Sequence, residues 1–374
     1  MFSFQNIYNA YIACRKNKRN TINQLEFEFN LLDNLWRLQY DLDSNSYQIG
    51  KSLCFLTSSP KLREIFASDF RDRIVHHILV EQLEPFYEKR FIYDVYNNRK
   101  NRGIHRAIKR AKRFMNATHN GYYLQLDIKG FFYNLDKDIL FTKIVNDINF
   151  KKNEAKASFP NASAVLWLAN KIIYHDPTKN YIFKGDPSKL SLLPPHKTLF
   201  AIPKSKGLPI GNLTSQFFAN VYMNDFDNFV KRVLKVKYYI RYVDDFVLFD
   251  TSKERLQMLY QEIKNYLWQN LKLELRADTK LKQHKDGLDF LGYIIRPNYI
   301  LTRQRVVNNY KYKKAKYLQN YERQKGKMSL EEIKKFLSVQ ASFVSHIKHS
   351  NSFNLTKKVG VLDENNPFDY NRSK

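Results

Sequence analysis

The stretch Tyr238-Tyr239-Ile240-Arg241-Tyr242-Val243-Asp244-Asp245-Phe246-Val247-Leu248-Phe249 confines the fold more than any other. Aromatic and β-branched residues run up to two adjacent aspartates, and an apolar run leaves them. That order reads as a β-hairpin with the acids at its turn. Apolar flanks bury both strands and leave the carboxylates at the exposed point. Two carboxylates fixed on a rigid tip can hold a hard cation such as Mg²⁺ through oxygen. An ordinary surface turn is the plainer reading, because Asp is common in turns. The string alone does not decide between them.

Two further segments bear on the choice. Tyr122-Tyr123-Leu124-Gln125-Leu126-Asp127-Ile128 alternates and reads as a buried strand ending in Asp127. An acid at the end of an apolar strand is costly without a cation or hydrogen-bond partners. A helix cap or turn is the other role for such an aspartate, and Asp136 suits that role better. Gly207-Leu208-Pro209-Ile210-Gly211 forms a tight loop before a helix that runs on through Val233. Thr214 or Ser215 is expected to cap that helix. Such a loop can lie close against a nucleotide or base pair, although a loop-to-helix junction without ligand explains it equally simply. Asp127 with Asp244 and Asp245 is the minimum for a site holding two metal ions about 4 Å apart. No Ser/His/Asp or Cys/His arrangement competes.

Charge narrows the partner. Among 374 residues, 63 Lys and Arg face 36 acids, a net charge of +27, and 43% hydrophobic residues make the chain globular. Such a chain wants a polyanion, nucleic acid first and an anionic membrane surface second. No apolar run approaches a bilayer-spanning length, and the N-terminus lacks the order of a cleavable signal. Cys14 and Cys54 are isolated and fit a reducing cytoplasm. The aromatic content of 15% suits stacking on bases, although an AT-biased genome also enriches Phe and Tyr.

The remaining elements follow from spacing. Residues 1–50 read as helical, with a basic cluster at Arg15, Lys16, Lys18 and Arg19. Leu53 to Leu56 and Ser59 to Ala67 read as a hairpin broken at Pro60, with Arg63 projecting from the second strand. A helix runs from Phe70 to Leu83, and its adjacent His76 and His77 point to different faces. The densest basic stretch of the first half, from Arg99 to Arg113, lies on a loop and then a helix. Residues 150–204 read as an insertion of loops around one helix at 165–173. Residues 252–272 form an amphipathic helix, and Leu288 to Ile295 one strand. Two helices fill 303–350. The first carries Lys311, Lys313, Lys314 and Lys316 for phosphate contact. The second opens with a capping box from Ser329 to Glu332 and buries Ile333, Phe336, Leu337, Val344 and Ile347. The tail after about 355 is polar and expected to be poorly ordered.

Taken together, four segments resemble the motifs of reverse transcriptases of the retroviral and group II intron superfamily. They are Leu126 to Phe132, Gly207 to Gly211 with Ser215-Gln216, Tyr242 to Asp245, and Phe290-Leu291-Gly292-Tyr293. Their order and spacing fit over residues from about 50 to 350. The resemblance implies an α+β right-hand fold of fingers, palm and thumb, with an antiparallel palm sheet backed by helices. The fingers would take 51–120 and 151–204, the palm 121–150 and 205–300, and a helical thumb 301–354. An N-terminal helical segment (1–50) and a C-terminal tail (355–374) flank them, with no RNase H, endonuclease or integrase segment.

The same resemblance implies roles. Asp127 and Asp244 match the principal metal ligands, Asp245 the supporting acid, and the backbone of Ile128 a further metal contact, for two Mg²⁺ ions that Mn²⁺ could replace. Phe132, beside Phe131, matches the aromatic gate that excludes a ribose 2′-hydroxyl. Arg63 matches the arginine on the incoming triphosphate, with Gln216 also facing the nucleotide. Lys280, or Lys282 two places on, matches a lysine near the pyrophosphate. Ile210, Gly211, Arg99, Tyr242, Gly292, Lys313 and Lys314 fall where template and primer are held. Most relatives carry Gln before the second glycine and Ser-Pro after it. Ile210 and Gln216 here are instead similar to the enzymes of diversity-generating retroelements, as is Ser345 to Phe353. Those enzymes copy a template RNA with errors at adenines and work with a small basic accessory protein. Bacterial antiphage reverse transcriptases share much of the pattern. The implied partners are template RNA, the cDNA product and dNTPs, with an accessory protein or self-assembly, and no membrane. The implied setting is the cytoplasm of a bacterium, with a bacterial or phage gene. A non-catalytic RNA-binding scaffold is the alternative from another class, and the intact acids speak against it.

Overall fold

The computed structural model describes residues 2–16, 21–58, 61–153, 159 and 161–359. In chain order these form α1 (Phe4–Arg15), α2 (Ile22–Phe29), α3 (Leu31–Asp43), β1 (Ser52–Thr57), β2 (Arg63–Ala67), α4 (Phe70–Glu88) and α5 (Ile104–Ala117). Next come β3 (Tyr122–Asp127), α6 (Phe131–Asn134), α7 (Lys137–Asn153), α8 (Ala162–Tyr174), β4 (Tyr181–Lys184) and α9 (Leu213–Asn228). Then follow β5 (Tyr238–Tyr242), β6 (Asp245–Asp250), α10 (Lys253–Leu271), β7 (Lys280–Gln283), β8 (Leu288–Phe290), β9 (Tyr293–Ile295) and β10 (Ile300–Thr302). The last helices are α11 (Gln304–Arg323), α12 (Leu330–Ile347) and α13 (Phe353–Lys358). No helix among the described residues is long and apolar enough to cross a membrane. Three sheets form, in the orders β2-β1-β4, β5-β6-β3-β7 and β10-β9-β8. The chain divides into two compact units. One is Met1–Asn98, Leu126–Phe246 and Leu259–Thr279; the other is Arg99–Gln125, Val247–Met258 and Lys280–Lys374.

In the first unit, α1 and α2 pack on α4, and α4 packs on α9, whose Phe217, Phe218, Val221, Tyr222 and Phe226 are buried. Side chains cap α1 through Ser3, α4 through Asp69 and α7 through Asp136, the last as its spacing predicts. β1 and β2 pair antiparallel with Leu53 opposite Ala67. Residues 150–204 are more than loops. β4 joins β1 in parallel, with Leu53 opposite Ile182, so the far strand comes from a distant segment that periodicity alone hides. Glu64 points inward from β2 and is satisfied by the Thr198 hydroxyl at 2.5 Å and the Leu199 N–H at 2.9 Å.

The cap expected for α9 changes. Neither Thr214 nor Ser215 caps α9; both are buried inside it, and extended Asn212 takes the cap position. The Asn212 carboxamide instead accepts from the N–H and hydroxyl of Ser68, tying the loop to the end of β2. The N-terminal helices bury Leu35, Leu38 and Leu42, whereas Leu25, Phe29, Leu32 and Trp36 are exposed. Lys18, Arg19 and Pro60 lie outside the described residues.

In the second unit, residues 122–125 of β3 pair antiparallel with β7, placing Tyr122 opposite Gln283 and Gln125 opposite Lys280. The segment 288–295 is two strands, not one. Leu291 and Gly292 turn it over with φ +52° and +92°, and β8 and β9 pair antiparallel. Hydrophobicity continues through the turn and so conceals it. α11 and α12 close on Val307, Tyr310, Phe343 and Ile347, and the Tyr310 and Phe343 rings stack at 4.0 Å. The capping box from Ser329 to Glu332 is present. Phe336 and Ile347 are buried as expected, whereas Ile333, Leu337 and Val344 are half-buried. Residues 353–358 form α13 rather than a loose tail; residues 360–374 lie outside the described part.

Candidate active site

β3 delivers Asp127 at its end, between the buried side chains of Leu126 and Ile128. The β5–β6 hairpin delivers Asp244 in a two-residue turn with Val243, and Asp245 as the first residue of β6. Backbone bonds join these pieces. The Ile128 N–H donates to the Asp244 carbonyl at 3.3 Å, and the Asp127 carbonyl accepts from the Arg276 N–H at 2.9 Å. The Lys129 N–H donates to the Glu274 carbonyl at 2.8 Å. Asp127 and Asp244 therefore stand on neighbouring backbone. Both acids of the hairpin are half-buried rather than fully exposed at its tip.

Their electrostatics are those of crowded anions. Burial, and then the charge of Asp244, pushes the Asp127 carboxyl up to about 6 against the pull of Arg276 and Lys61. Burial raises Asp244 as well, opposed by its own backbone and by Arg63, Lys61 and Arg276. The nearest guanidinium, Nη1 of Arg276, is 3.8 Å from Asp127 Oδ2, beyond hydrogen-bond range, and Arg276 bonds Asp278 through Nε at 2.9 Å. Among the described residues no three His, Cys, Asp or Glu side chains form a ready metal cage. The donors present are carboxylate and backbone oxygen, the set that suits Mg²⁺. Two crowded carboxylates raised by burial, with Arg276 at 3.8 Å the cation paired to Asp127 among the described residues, fit such an ion. Arg63, at the exposed start of β2, acts on Asp244 through its charge.

The Gly207 loop is clamped from both sides. The Leu208 N–H donates to the Phe132 carbonyl at 2.8 Å, and the Phe66 N–H donates to the Ile210 carbonyl at 3.0 Å. At Gly211 φ is +123°, and a Cβ would stand 2.8 Å from Ile65 Cγ2 and 3.2 Å from the Phe66 oxygen. Only glycine fits that close approach to β2. Ile210 packs on Cys54, Phe66, Tyr133 and Leu199. Phe131 is buried in the core. Phe132 meets it edge-on at 5.5 Å and remains half-exposed, so Phe132 is the ring of the pair that reaches solvent. Gln216 and Tyr242 are half-buried.

Arg99, Lys280, Gly292, Lys313 and Lys314 belong to the second unit. There Arg99 is half-buried before α5, Lys280 opens β7 and Lys282 is exposed on it. Gly292 lies against the His346 ring. Lys313 is exposed on α11, whereas Lys314 donates to the Val359 carbonyl at 3.0 Å and so also anchors the end of α13.

Sequence reasoning missed the support beneath the hairpin. Val243 has φ +59°, an outlier for a β-branched residue that costs about 1–2 kcal/mol. Arg241 is fully buried and pairs with Asp227, Nε to Oδ1 at 2.8 Å and Nη2 to Oδ2 at 2.5 Å. Its Nη1 donates to the Val243 carbonyl at 2.9 Å and to Asn220 Oδ1 at 3.3 Å. The Val243 N–H donates to Asn97 Oδ1 at 3.0 Å, and Asn220 Nδ2 donates to the Asn97 carbonyl at 2.9 Å. One signal was available: an arginine inside an apolar strand demands a buried acid. Nothing in the sequence marks Asn97 or Arg276.

Known proteins resemble this chain. The sequence model described as "Reverse transcriptase (RNA-dependent DNA polymerase)" matches residues 57–295. Protein YkfC of Escherichia coli K12 is 24% identical over 334 residues, covering 79% of this chain and 80% of its own length. The group II intron-encoded protein LtrA of Lactococcus lactis is 24% identical over 302 residues, covering 64% of this chain and 45% of LtrA. Apo telomerase from Candida tropicalis aligns with a TM-score of 0.48 at 12% identity, over 76% of this chain and 55% of that one. The chain thus spans about half the length of the intron-encoded and telomerase proteins it matches.

Proposed function

The chain belongs to the reverse transcriptase (RNA-dependent DNA polymerase) family, and from that premise we propose that it copies a dedicated RNA into DNA by two-metal nucleotidyl transfer, as the error-prone enzyme of a diversity-generating retroelement. Its α+β chain has the family's right-hand polymerase fold. The observation that supports the chemistry is the backbone bond from Ile128 to Asp244, which brings the end of β3 beside the hairpin turn that carries Asp244. In this reading Asp127, Asp244 and the Ile128 backbone hold two Mg²⁺ ions, with Asp245 supporting them and Mn²⁺ as a substitute. When bound, the ions activate the primer 3′-hydroxyl and neutralise charge on the leaving pyrophosphate.

The chain's own groups do the rest. Arg63 meets the triphosphate with positive charge. Phe132 crowds the sugar edge so that a 2′-hydroxyl is excluded, with Phe131 fixing its ring and Gln216 facing the nucleotide. Lys280 would meet the pyrophosphate, and Ile210, Gly211, Arg99, Tyr242, Gly292, Lys313 and Lys314 would follow the template and primer. Fingers, palm and thumb fall at the boundaries given above. RNA, cDNA and dNTPs are the partners, with an accessory protein or a second copy, in a bacterial cytoplasm.

Ile210 and Gln216 support the retroelement reading over the general one. Antiphage defence with a non-coding RNA is the competing biological role. Primer extension on an RNA template with Mg²⁺ and dNTPs tests the chemistry, with Asp244→Asn as the control. The parent is expected to extend, and the variant to lose at least 10³-fold of the rate, roughly the scale of losing a metal-held transition state. Equal, zero incorporation by both, with the co-purified RNA present, would favour the scaffold. Sequencing the cDNA made on that RNA separates the roles. Errors confined to template adenines mark the retroelement enzyme, and faithful copies remove that assignment.

A further inference from the structure

The left-handed Val243 stands one residue before Asp244, and both sides of its backbone are held. Its N–H is fixed by Asn97 Oδ1 at 3.0 Å, and its carbonyl by Arg241 Nη1 at 2.9 Å. A β-branched residue at φ +59° returns to extended backbone unless its surroundings over-determine it. A turn that relaxed at 243 would swing the peptide plane that aims the Asp244 side chain. It would also carry away the Asp244 carbonyl that accepts from Ile128 at 3.3 Å.

The clamp is built as one unit. Asn97 is 2% exposed, and its Nδ2 has no hydrogen-bond partner among the described residues. A buried amide nitrogen left unsatisfied is unfavourable, so the carboxamide is retained for its oxygen, which serves Val243. Asn220 Nδ2 holds the Asn97 carbonyl at 2.9 Å, and Asn220 Oδ1 faces Arg241 Nη1 at 3.3 Å. Arg241 is itself fixed by Asp227, which Tyr239 also reaches through its hydroxyl at 2.7 Å. Val95 and Arg241 bridge in parallel, and the Tyr96 N–H donates to the Arg241 carbonyl at 3.0 Å. The Val95–Asn97 segment therefore runs beside β5 as a splint.

We infer that Asn97 and Arg241 are positioning residues, which lock Val243 in the left-handed conformation and so aim Asp244 at Asp127. This rests on the polymerase reading above. Asn97 touches no reacting atom in it; its effect passes through the turn.

The test is a cycle of Asn97→Ala, Val243→Gly and the double variant, with kcat, KM for dNTP, half-saturating Mg²⁺ and melting temperature measured on each. Asn97→Ala is expected to lower kcat about 30-fold and raise half-saturating Mg²⁺ several-fold, with KM for dNTP within about threefold of the parent. Glycine takes positive φ without strain. Val243→Gly added to Asn97→Ala is therefore expected to return at least a tenth of the parent rate and most of the Mg²⁺ affinity. A merely structural Asn97 predicts no such rescue. Absence of rescue, or unchanged kcat and Mg²⁺ dependence in Asn97→Ala, overturns the inference. Should Asn97→Ala fail to fold, the single Val243→Gly decides: a melting temperature at or above the parent supports a strained, clamped turn, and a lower one overturns it. A parent that incorporates no dNTP defeats the polymerase reading, whereas the melting comparison still judges the turn.

Discussion

Gly211 and Phe132 are constrained in opposite ways, one by what cannot be added and the other by what must not be removed. Gly211→Ala puts a methyl 2.8 Å from Ile65 Cγ2 at a φ of +123°. It should destabilise the first unit by about 2–3 kcal/mol, read as a lowered denaturation midpoint. Stability equal to the parent would mean that the loop does not meet β2 so closely. Phe132 is half-exposed above buried Phe131, so its truncation should be tolerated by the fold. Phe132→Ala is expected to lower discrimination against ribonucleotides at least 10-fold, about 1.4 kcal/mol, in competition assays with paired dNTP and NTP. Unchanged discrimination would remove the gate role. Asp127, Asp244 and Gly211 were legible because each breaks a local pattern: an acid ending an apolar strand, or a glycine where a side chain would otherwise pack. Asn97 was not legible, because its partner lies 146 positions away and asparagine is ordinary in loops.

At the level of elements, α4 carries a pH dependence. His76 is fully buried on it, and burial, with His175, His77 and Arg73 nearby, pushes its imidazole down to about 3. Below pH 6.5 the unfolded chain takes up a proton that the folded chain excludes. Stability from this group is therefore intact above 6.5 and falls by about 1.4 kcal/mol per pH unit down to about pH 3. Asp72 on the same helix acts oppositely, because its carboxyl is raised to about 6 and protonation favours the folded state. His76→Gln should flatten the fall of melting temperature between pH 6 and 4, with Asp72 common to both proteins. An unchanged acid limb would place the imidazole in contact with solvent. In the second unit, Phe343→Ala removes the ring stacked on Tyr310 and should cost about 3–4 kcal/mol. Periodicity served the long helices well, α4, α10, α11 and α12 among them. It failed where apolar character runs through a turn at Leu291-Gly292, and where β4 finds a partner far back in the chain. The first failure is local, inside an eight-residue stretch; the second is not, and no window of neighbours can show it.

For the whole molecule, the net charge of +27 predicts binding dominated by phosphate contacts. The logarithm of RNA affinity should fall with the logarithm of salt concentration at a slope of about −4 or steeper, the value for six or more single-strand phosphates. A slope near zero would divorce the basic surface from RNA. The parallel partner of β1 has a different consequence, one of timing. Ser52 pairs with Tyr181, 129 positions later. At about 5–20 residues per second, a ribosome needs roughly 6 to 26 s to supply β4 after β1 has emerged. Throughout that interval the β1 edge of the nascent β1–β2 ribbon, which β4 later covers, stands open to any passing strand, so the speed of synthesis and the presence of a chaperone bear on how much chain reaches the native state.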